Sequence, residues 1–395
     1  MRTAIISTYP PRACGIGSFA ADLKRTLKGV TGVDRVDVVA IVNGRSRPQQ
    51  RGLLSVIHQD VRRDYRRVAR LLGRLEVDVV LLQHEYWIFG GTDGDYVLAF
   101  TEELAQPLVV TLHTVLSEPT PHQLKVLKTL CAHAQLVIVM TDTAAFLLVQ
   151  CGACSKEKVR VVPHGAPSTL IARADEYVLG LRRREFRQAG SQEGTVPFLL
   201  STFGLIAPAK GLETVIEALP SMLKRHPNIV YVIAGRTHPE VAHQEGEQYR
   251  LMLERRVFEL DLAGHVEFDD RFLTTDELAD LLAATDVFVT PYRSREQVVS
   301  GALTFAIAAG CCVVSTPYWY ARDMLETGAG SLVPFDDPEA LAEGVCAYAA
   351  APEMIAEARR HARKIGSSLA WPAVAAATAR VLQEAQSLSS TGMPP

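Results

Sequence analysis

The stretch from Asp286 to Trp319, DVFVTPYRSREQVVSGALTFAIAAGCCVVSTPYW, constrains the fold of this chain more than any other. An apolar run of strand length (Asp286–Thr290) meets a polar turn and then a small-residue helical stretch (Val298–Ala309). A glycine stop and a second apolar run (Cys311–Ser315) follow. Strand, helix and strand in so short a space are the crossover unit of a parallel sheet. Ligands of open parallel sheets bind beyond the carboxyl ends of the strands, which places Tyr292–Gly301 at a site.

The same design recurs along the chain. Thr3–Ser7 precedes TYPPRACGIG, Val77–Gln83 precedes HEYWIFGG, Leu108–Leu112 precedes HTVLSEPT, Leu136–Met140 precedes TDTAAF, and Val159–Val162 precedes PHGAP. Ser168–Val196, with its charged LRRREFRQ and its turn formers QAGSQEGT, reads as a connection. The pattern then restarts with Phe198–Thr202 before FGLIAPAKG, and Glu213–Arg225 carries apolar residues at helical spacing. Ile229–Ala234 before GRTHP, Val266–Phe268 before DDRFLTTDE and Val287–Thr290 before PYRSRE continue it. A chain of 395 residues, 48% hydrophobic, exceeds what one core organises. The expected fold class is α/β: two doubly wound Rossmann-like domains facing across a cleft. Their expected bounds are 1–190 and 191–368, with a helical tail over 369–395 that returns to the first domain.

Composition narrows the partners. A net charge of −3 supplies no overall attraction to nucleic acid or to an anionic membrane. The opening MRTAIISTYPP lacks a basic region followed by a long apolar run, and no stretch reaches about 18 uninterrupted apolar residues. A cytoplasmic location is expected, and the seven scattered cysteines suit a reducing compartment. Cys151 and Cys154 form an isolated CGAC without the second pair or histidines that a zinc site needs, so it reads as a loop and no metal is expected. Arg62, Arg63, Arg66, Arg67, Arg70 and Arg74 share one helix-like stretch, with Val61, Tyr65, Val68, Leu72 and Leu75 on its other face. Contact with anionic lipid stays open but is not favoured over a solvated helix face.

Several residues at strand ends are candidates for chemistry. In RACGIGSFAAD, Gly15, Gly17 and Ala20 make a G-x-G-x-x-A pattern before a helix expected from Ser18, whose N–H groups suit a phosphate or a sugar hydroxyl. YPPRAC separates that pattern from its strand, which disfavours NAD and leaves a plain glycine turn as the alternative. Lys210 precedes Gly211 at the start of the helix holding Glu213 and Glu217, so its charge adds to the helix dipole and suits a diphosphate. His113 ends the strand LVVTL, where it is either a cleft residue or a satisfied core histidine. His84 and Glu85 precede Trp87 and Gly90–Gly91, a combination of hydroxyl acceptors and an aromatic face that fits a sugar. Glu296 and Gln297 can accept hydrogen bonds from hydroxyls, and Ser300 and Gly301 offer N–H groups, unless Ser300 is simply a helix cap.

In their order and spacing, CGIG, the strand-end His113, VRVVPHG, FGLIAPAKG, VIAGRTHP, AIAAGCCVVSTPY and a tail around Trp371 resemble one family. It is that of the retaining nucleotide-sugar glycosyltransferases with the two-Rossmann (GT-B) architecture, of the family 4 or group 1 type, which includes bacterial mannosyltransferases and sucrose synthases. The resemblance covers nearly the whole chain. It implies transfer of a hexose, of mannose or glucose type, from a UDP- or GDP-sugar to a saccharide or small hydroxylated acceptor. It implies no cofactor beyond that nucleotide-sugar co-substrate. His113, Lys210 and Glu296 would carry catalysis. Gly15, Gly17, Gly204, Lys210, Gln297, Ser300 and Gly301 would bind the donor, and His84, Glu85 and Trp87 the acceptor.

The chain departs from the family pattern in four places. Counted back from Gly310, Gln297 takes the first glutamate position of the paired-glutamate motif, and Phe305 takes the second, the usual ribose ligand. The arginine that accompanies the lysine falls on Leu205, and the asparagine of the VPNG turn is His164. A phosphorylase of the same fold, and a non-catalytic sugar- or nucleotide-binding protein, are the alternatives these departures raise. A nicotinamide dehydrogenase lacks a hydride-site constellation.

Overall fold

Apolar runs without alternation suit parallel strands covered on both faces. β4 (Val79–His84) and β5 (Leu108–Leu112) are buried at every residue. The computed structural model describes residues 1–12, 14–44, 52–175 and 197–390. The chain divides into two units, one comprising Met1–Gly165 with Trp371–Pro395 and the other Ala166–Ala370.

The first unit holds a seven-stranded parallel sheet. With β4 and β5 it contains β1 (Arg2–Ser7), β2 (Arg35–Val42), β3 (Ser55–His58), β6 (Leu136–Val139) and β7 (Val159–Val161), in the order β3-β2-β1-β4-β5-β6-β7. The second unit holds a six-stranded sheet of β8 (Phe198–Phe203), β9 (Ile229–Ala234), β10 (Val266–Asp269), β11 (Val287–Thr290), β12 (Cys312–Ser315) and β13 (Gly330–Leu332). Its order is β10-β9-β8-β11-β12-β13. Leu200, Tyr231, Val287, Val289 and Val314 build one core with their side of this sheet. Phe288 and Val313, one residue out of step, build the core on the opposite side. The two-residue period of a strand thus feeds two cores at once.

Each sheet reverses its strand order once, between β1 and β4 and between β8 and β11. The loops after those four strands therefore diverge at a switch point, which opens a crevice at the strands' carboxyl ends. This places Thr8–Arg12 beside His84–Gly91 in the first unit, and Gly204–Lys210 beside Pro291–Ser300 in the second.

Three strands lie outside those expected from sequence: β2, which no helical pattern follows, and the short edge strands β3 and β13. The first helix spans Gly15–Leu27 and so starts before Ser18, with Cys14 as its cap residue. The helix expected from Val298 spans Gly301–Ala308. The expected boundary at 190/191 lies outside the described residues. The described chain leaves the first unit at Gly165, because the Ser168–Asp175 helix packs on Thr275–Ala284, with Arg173 paired to Asp280 at 3.0 Å.

The arginine-rich segment is an Arg62–Leu72 helix that buries Tyr65, Val68, Ala69 and Leu72. On its outer face Arg70 pairs with Glu103 at 2.9 Å, Arg66 lies 3.4 Å from Glu102, and Arg67 donates to the Val56 carbonyl at 2.7 Å. Leu75 lies beyond the helix end and is exposed. Among the described residues no helix is long and apolar enough to cross a membrane.

The Trp371–Ser390 helix belongs to the first unit, against the Gly15–Leu27 helix and strands β4 and β5. Trp371 is buried on Gly165, where an added Cβ would come within 2.2 Å of the indole. Arg160 Nε donates to Glu384 at 3.1 Å and ties this helix to β7. Trp371→Ala is expected to destabilise the first unit by about 3–5 kcal/mol, the usual cost of emptying a buried aromatic site. Urea unfolding followed by circular dichroism would read this loss, and an unchanged midpoint would remove the tail from the first unit's core.

Candidate functional site

The sequence-derived candidates fall into two groups, one in each unit. In the second unit the switch point brings Lys210 and Ser300 to a common partner. Lys210 ends a short Pro208–Lys210 turn after β8. Its Nζ lies 3.8 Å from the centroid of the Tyr292 ring, just past β11. No ion pair to Lys210 forms among the described residues, so its charge rests on an aromatic face. The Tyr292 ring stacks on Tyr318 at 4.9 Å, and both rings are fully buried. The Tyr292 hydroxyl reaches Ser300 Oγ at 3.4 Å, and Thr316 Oγ1 donates to the Tyr292 carbonyl at 2.5 Å.

Ser300 is the cap of the Gly301–Ala308 helix: its Oγ accepts from the Leu303 N–H at 3.2 Å. The plain capping role thus holds for its side chain, while the first N–H groups of a helix have no intrahelical carbonyl to bond. Gly204 closes β8 with φ near +132° and donates its N–H to Ala234 at 2.9 Å. Glu296 and Gln297 lie on the loop between β11 and the helix. The Gln297 amide donates to the Val299 carbonyl at 3.0 Å, and its backbone carbonyl accepts from Tyr320 at 3.0 Å. Phe305 stacks on Phe203 at 6.2 Å, so the helix presents an aromatic ring where a glutamate would stand.

Four further residues join the network that starts at the Lys210–Gly211 turn, and sequence reasoning did not single them out. Arg293 pairs with Glu213 at 2.8 Å and with Asp336 at 3.0 Å. The Tyr249 hydroxyl donates to the other Glu213 oxygen at 2.5 Å and accepts from the Leu212 N–H at 3.1 Å. Burial, then the adjacent Glu213 carboxylate, raise the Tyr249 phenol. His238, just after β9, is held below its ordinary value by burial, with the charge of Lys210 adding to the effect. Only the position of Tyr292–Arg293 directly after a strand could have signalled this cluster. Its partners come from distant elements. Gly211 lets the turn close: at φ +61°, a Cβ there would lie 2.2 Å from the Pro291 carbonyl oxygen.

In the first unit His113 follows β5 and is nearly buried. Its Nε2 meets Gln83 Oε1 at 2.9 Å, a carbonyl acceptor that places the ring proton on Nε2. Phe19, on the Gly15–Leu27 helix, meets the rings of His113, His164 and Trp371 edge-on at 4.9, 5.0 and 5.1 Å. Gly15 is exposed with open space around it, while Gly17 is buried against the Tyr9 backbone. His164 Nδ1 donates to the Gly165 carbonyl at 2.8 Å. Burial, aided by neighbouring His164 and His84, pushes His113 down to about 3. Burial alone takes His84 to about 4. It does the same to His164, at about 4, against the Gly165 hydrogen bond. All three rings are neutral near pH 7.

The acceptor group needs one correction. His84 has no exposed surface; it stacks on Phe89 at 5.7 Å and meets Tyr86 edge-on, so no hydroxyl can reach it. Being the last residue of a central strand put it in the core. Glu85 is nearly buried and accepts from Tyr86 N–H at 2.9 Å and Thr114 Oγ1 at 2.5 Å; burial raises its carboxyl. Trp87 is 46% exposed. Gln59 donates to its carbonyl at 3.0 Å and accepts from Arg12 at 3.0 Å, which sets the Arg12 guanidinium 5.9 Å from the indole.

Two family models match the chain. "Glycosyltransferase Family 4" covers residues 15–169, and "Glycosyl transferases group 1" covers residues 197–350. The chain belongs to this glycosyltransferase family. A phosphatidyl-myo-inositol mannosyltransferase of Mycolicibacterium smegmatis is 31% identical over 34% of this chain and 31% of its own length. A D-inositol 3-phosphate glycosyltransferase of Streptomyces griseus is 27% identical over 62% of this chain and 50% of its own. The match thus spans a third to a half of these curated relatives. The Anabaena protein HepE, solved in complex with UDP, superposes with a TM-score of 0.75 at 18% identity, over 97% of this chain and 100% of that one. The two parallel sheets are those of the GT-B fold.

The buried histidines are expected to make the first unit acid-sensitive. Their values fall from 6.5 to between about 3 and about 4 on folding, so the unfolded chain binds more protons below the ordinary value. Their neutral burial leaves stability intact above about pH 6.5 and erodes it as pH falls toward about 4. The melting temperature is expected to drop progressively from about pH 7 to about pH 5, and less so in His84→Phe. Equal pH slopes in the wild type and that variant would overturn the assignment to His84.

Proposed function

We propose that this chain is a retaining glycosyltransferase that moves a hexose, of mannose or glucose type, from a UDP- or GDP-sugar to a saccharide or small hydroxylated acceptor. The observation that carries this reading is Lys210 on the Tyr292 ring, next to the Ser300-capped helix, at the switch point of the second sheet. As the sugar–oxygen bond breaks, negative charge grows on the departing diphosphate. An ammonium with no carboxylate partner among the described residues, and the N–H groups from Gly301, stabilise that charge where it develops. Gly204, Gln297 and Glu296 line the same strand ends and serve the donor.

His113 contacts the transferred sugar as a neutral imidazole. Its Nε2 proton is held by Gln83, so the ring offers hydrogen bonding without adding a charge that would compete with the oxocarbenium-like centre. Gly15 and Gly17, at the start of the Gly15–Leu27 helix, serve the donor. Trp87 supplies the acceptor with a ring face, and Glu85 positions Thr114 beside it. The inositol in both relatives' names supports a hydroxylated acceptor.

A phosphorylase of the same fold is the second reading, favoured by Phe305, which leaves no carboxylate for a ribose on that helix turn. In that case inorganic phosphate takes the place of the nucleotide at Lys210.

The experiment is turnover with UDP- and GDP-glucose and -mannose, set against phosphorolysis without nucleotide. Nucleotide-dependent transfer with retention of anomeric configuration is expected. Lys210→Ala should lower it at least about a hundredfold with an unchanged melting temperature. Near-normal turnover of that variant would sink the phosphate assignment, and phosphate-dependent cleavage of a glycoside without nucleotide would favour the second reading.

A further inference from the structure

Arg293 stands beside the Lys210 turn for reasons of backbone geometry. Its N–H donates to the Ala209 carbonyl at 3.2 Å, and a Cβ on Gly211 would lie 3.3 Å from its Cγ. The side chain therefore leaves the β11 end next to the lysine that follows β8. Its guanidinium is held unequally. Nη1 meets Glu213 at 2.8 Å, and that carboxylate is only 13% exposed and also bound by Tyr249. Nε meets Asp336 at 3.0 Å, and that carboxylate is 58% exposed. Nη2 makes no hydrogen bond among the described residues.

The Glu213 arm is an anchor, since breaking it would strand a buried charge. The Asp336 arm is a surface ion pair, worth little and easily exchanged for another oxyanion. Nε and Nη2 form one edge of the guanidinium, the edge that binds two oxygens side by side. Leu205, on the opposite loop, has no such group.

We propose that Arg293 is a second ligand of the donor diphosphate, supplying from the β11 end the guanidinium fork that the β8 loop lacks. Phosphoryl oxygens displace Asp336 from Nε and occupy Nη2, while Nη1 stays on Glu213. Lys210 then contributes a point charge and Arg293 contributes direction. This deepens the reading of Lys210 as a diphosphate site and rests on it.

The test is equilibrium binding of UDP, GDP and ADP, each with its monophosphate, to the full chain as wild type, Arg293→Ala and Arg293→Lys. Arg293→Ala is expected to weaken the diphosphate that binds the wild type by about ten- to a hundredfold. It should weaken the matching monophosphate less, and Arg293→Lys should fall between. An unchanged diphosphate affinity in Arg293→Ala, or an equal loss of both ligands, would overturn the assignment and leave Arg293 a structural anchor. In that event loss of binding in Lys210→Ala would keep the diphosphate site itself. A wild type that binds none of the diphosphates would overturn both.

Discussion

Burial of both faces of a parallel sheet is the constraint from which the rest of this structure follows. Such strands pair only through crossovers, and the helices that make those crossovers supply the apolar cover. In the second unit, adjacent residues of one strand, Phe288 and Val289, serve separate cores. With the interiors of the central strands used for packing, polar chemistry is left to the loops at the carboxyl ends. The reversals between β1 and β4 and between β8 and β11 decide which of those loops meet.

The two units treat charge in opposite ways. The first surrounds His84, His113 and His164 with apolar and aromatic groups and keeps them neutral. The second collects Lys210, Arg293, Glu213, Tyr249 and Asp336 around one glycine turn. Lys210 rests there on a ring rather than on a carboxylate, so its charge is fixed in place without being neutralised.

Much of the fold was legible because it depends on local pattern. Strand runs and strand-end polar clusters marked most β-strands, and the glycine-rich loops marked where helices begin. Elements without that local pairing escaped: β2 has no helix pattern after it, and β3 and β13 are edge strands too short to show a period. The position of His84 misled for a related reason. Strand-end location is readable in sequence, but whether the last residue of a strand faces solvent depends on the loop folded over it, here the turn carrying Tyr86 and Phe89.

Sequence alone determined the α/β class, the strand–loop–helix units, the candidate lysine and the departures at Leu205, Gln297 and Phe305. Those are properties of single positions or of short windows, where propensity and spacing act directly. Only the tertiary structure decided which residues share a site. Tyr292 joins Lys210 to Ser300, and Arg293 stands beside the lysine turn, because β8 and β11 are sheet neighbours although far apart in the chain. Strand order is a long-range outcome of packing, and no local pattern encodes it.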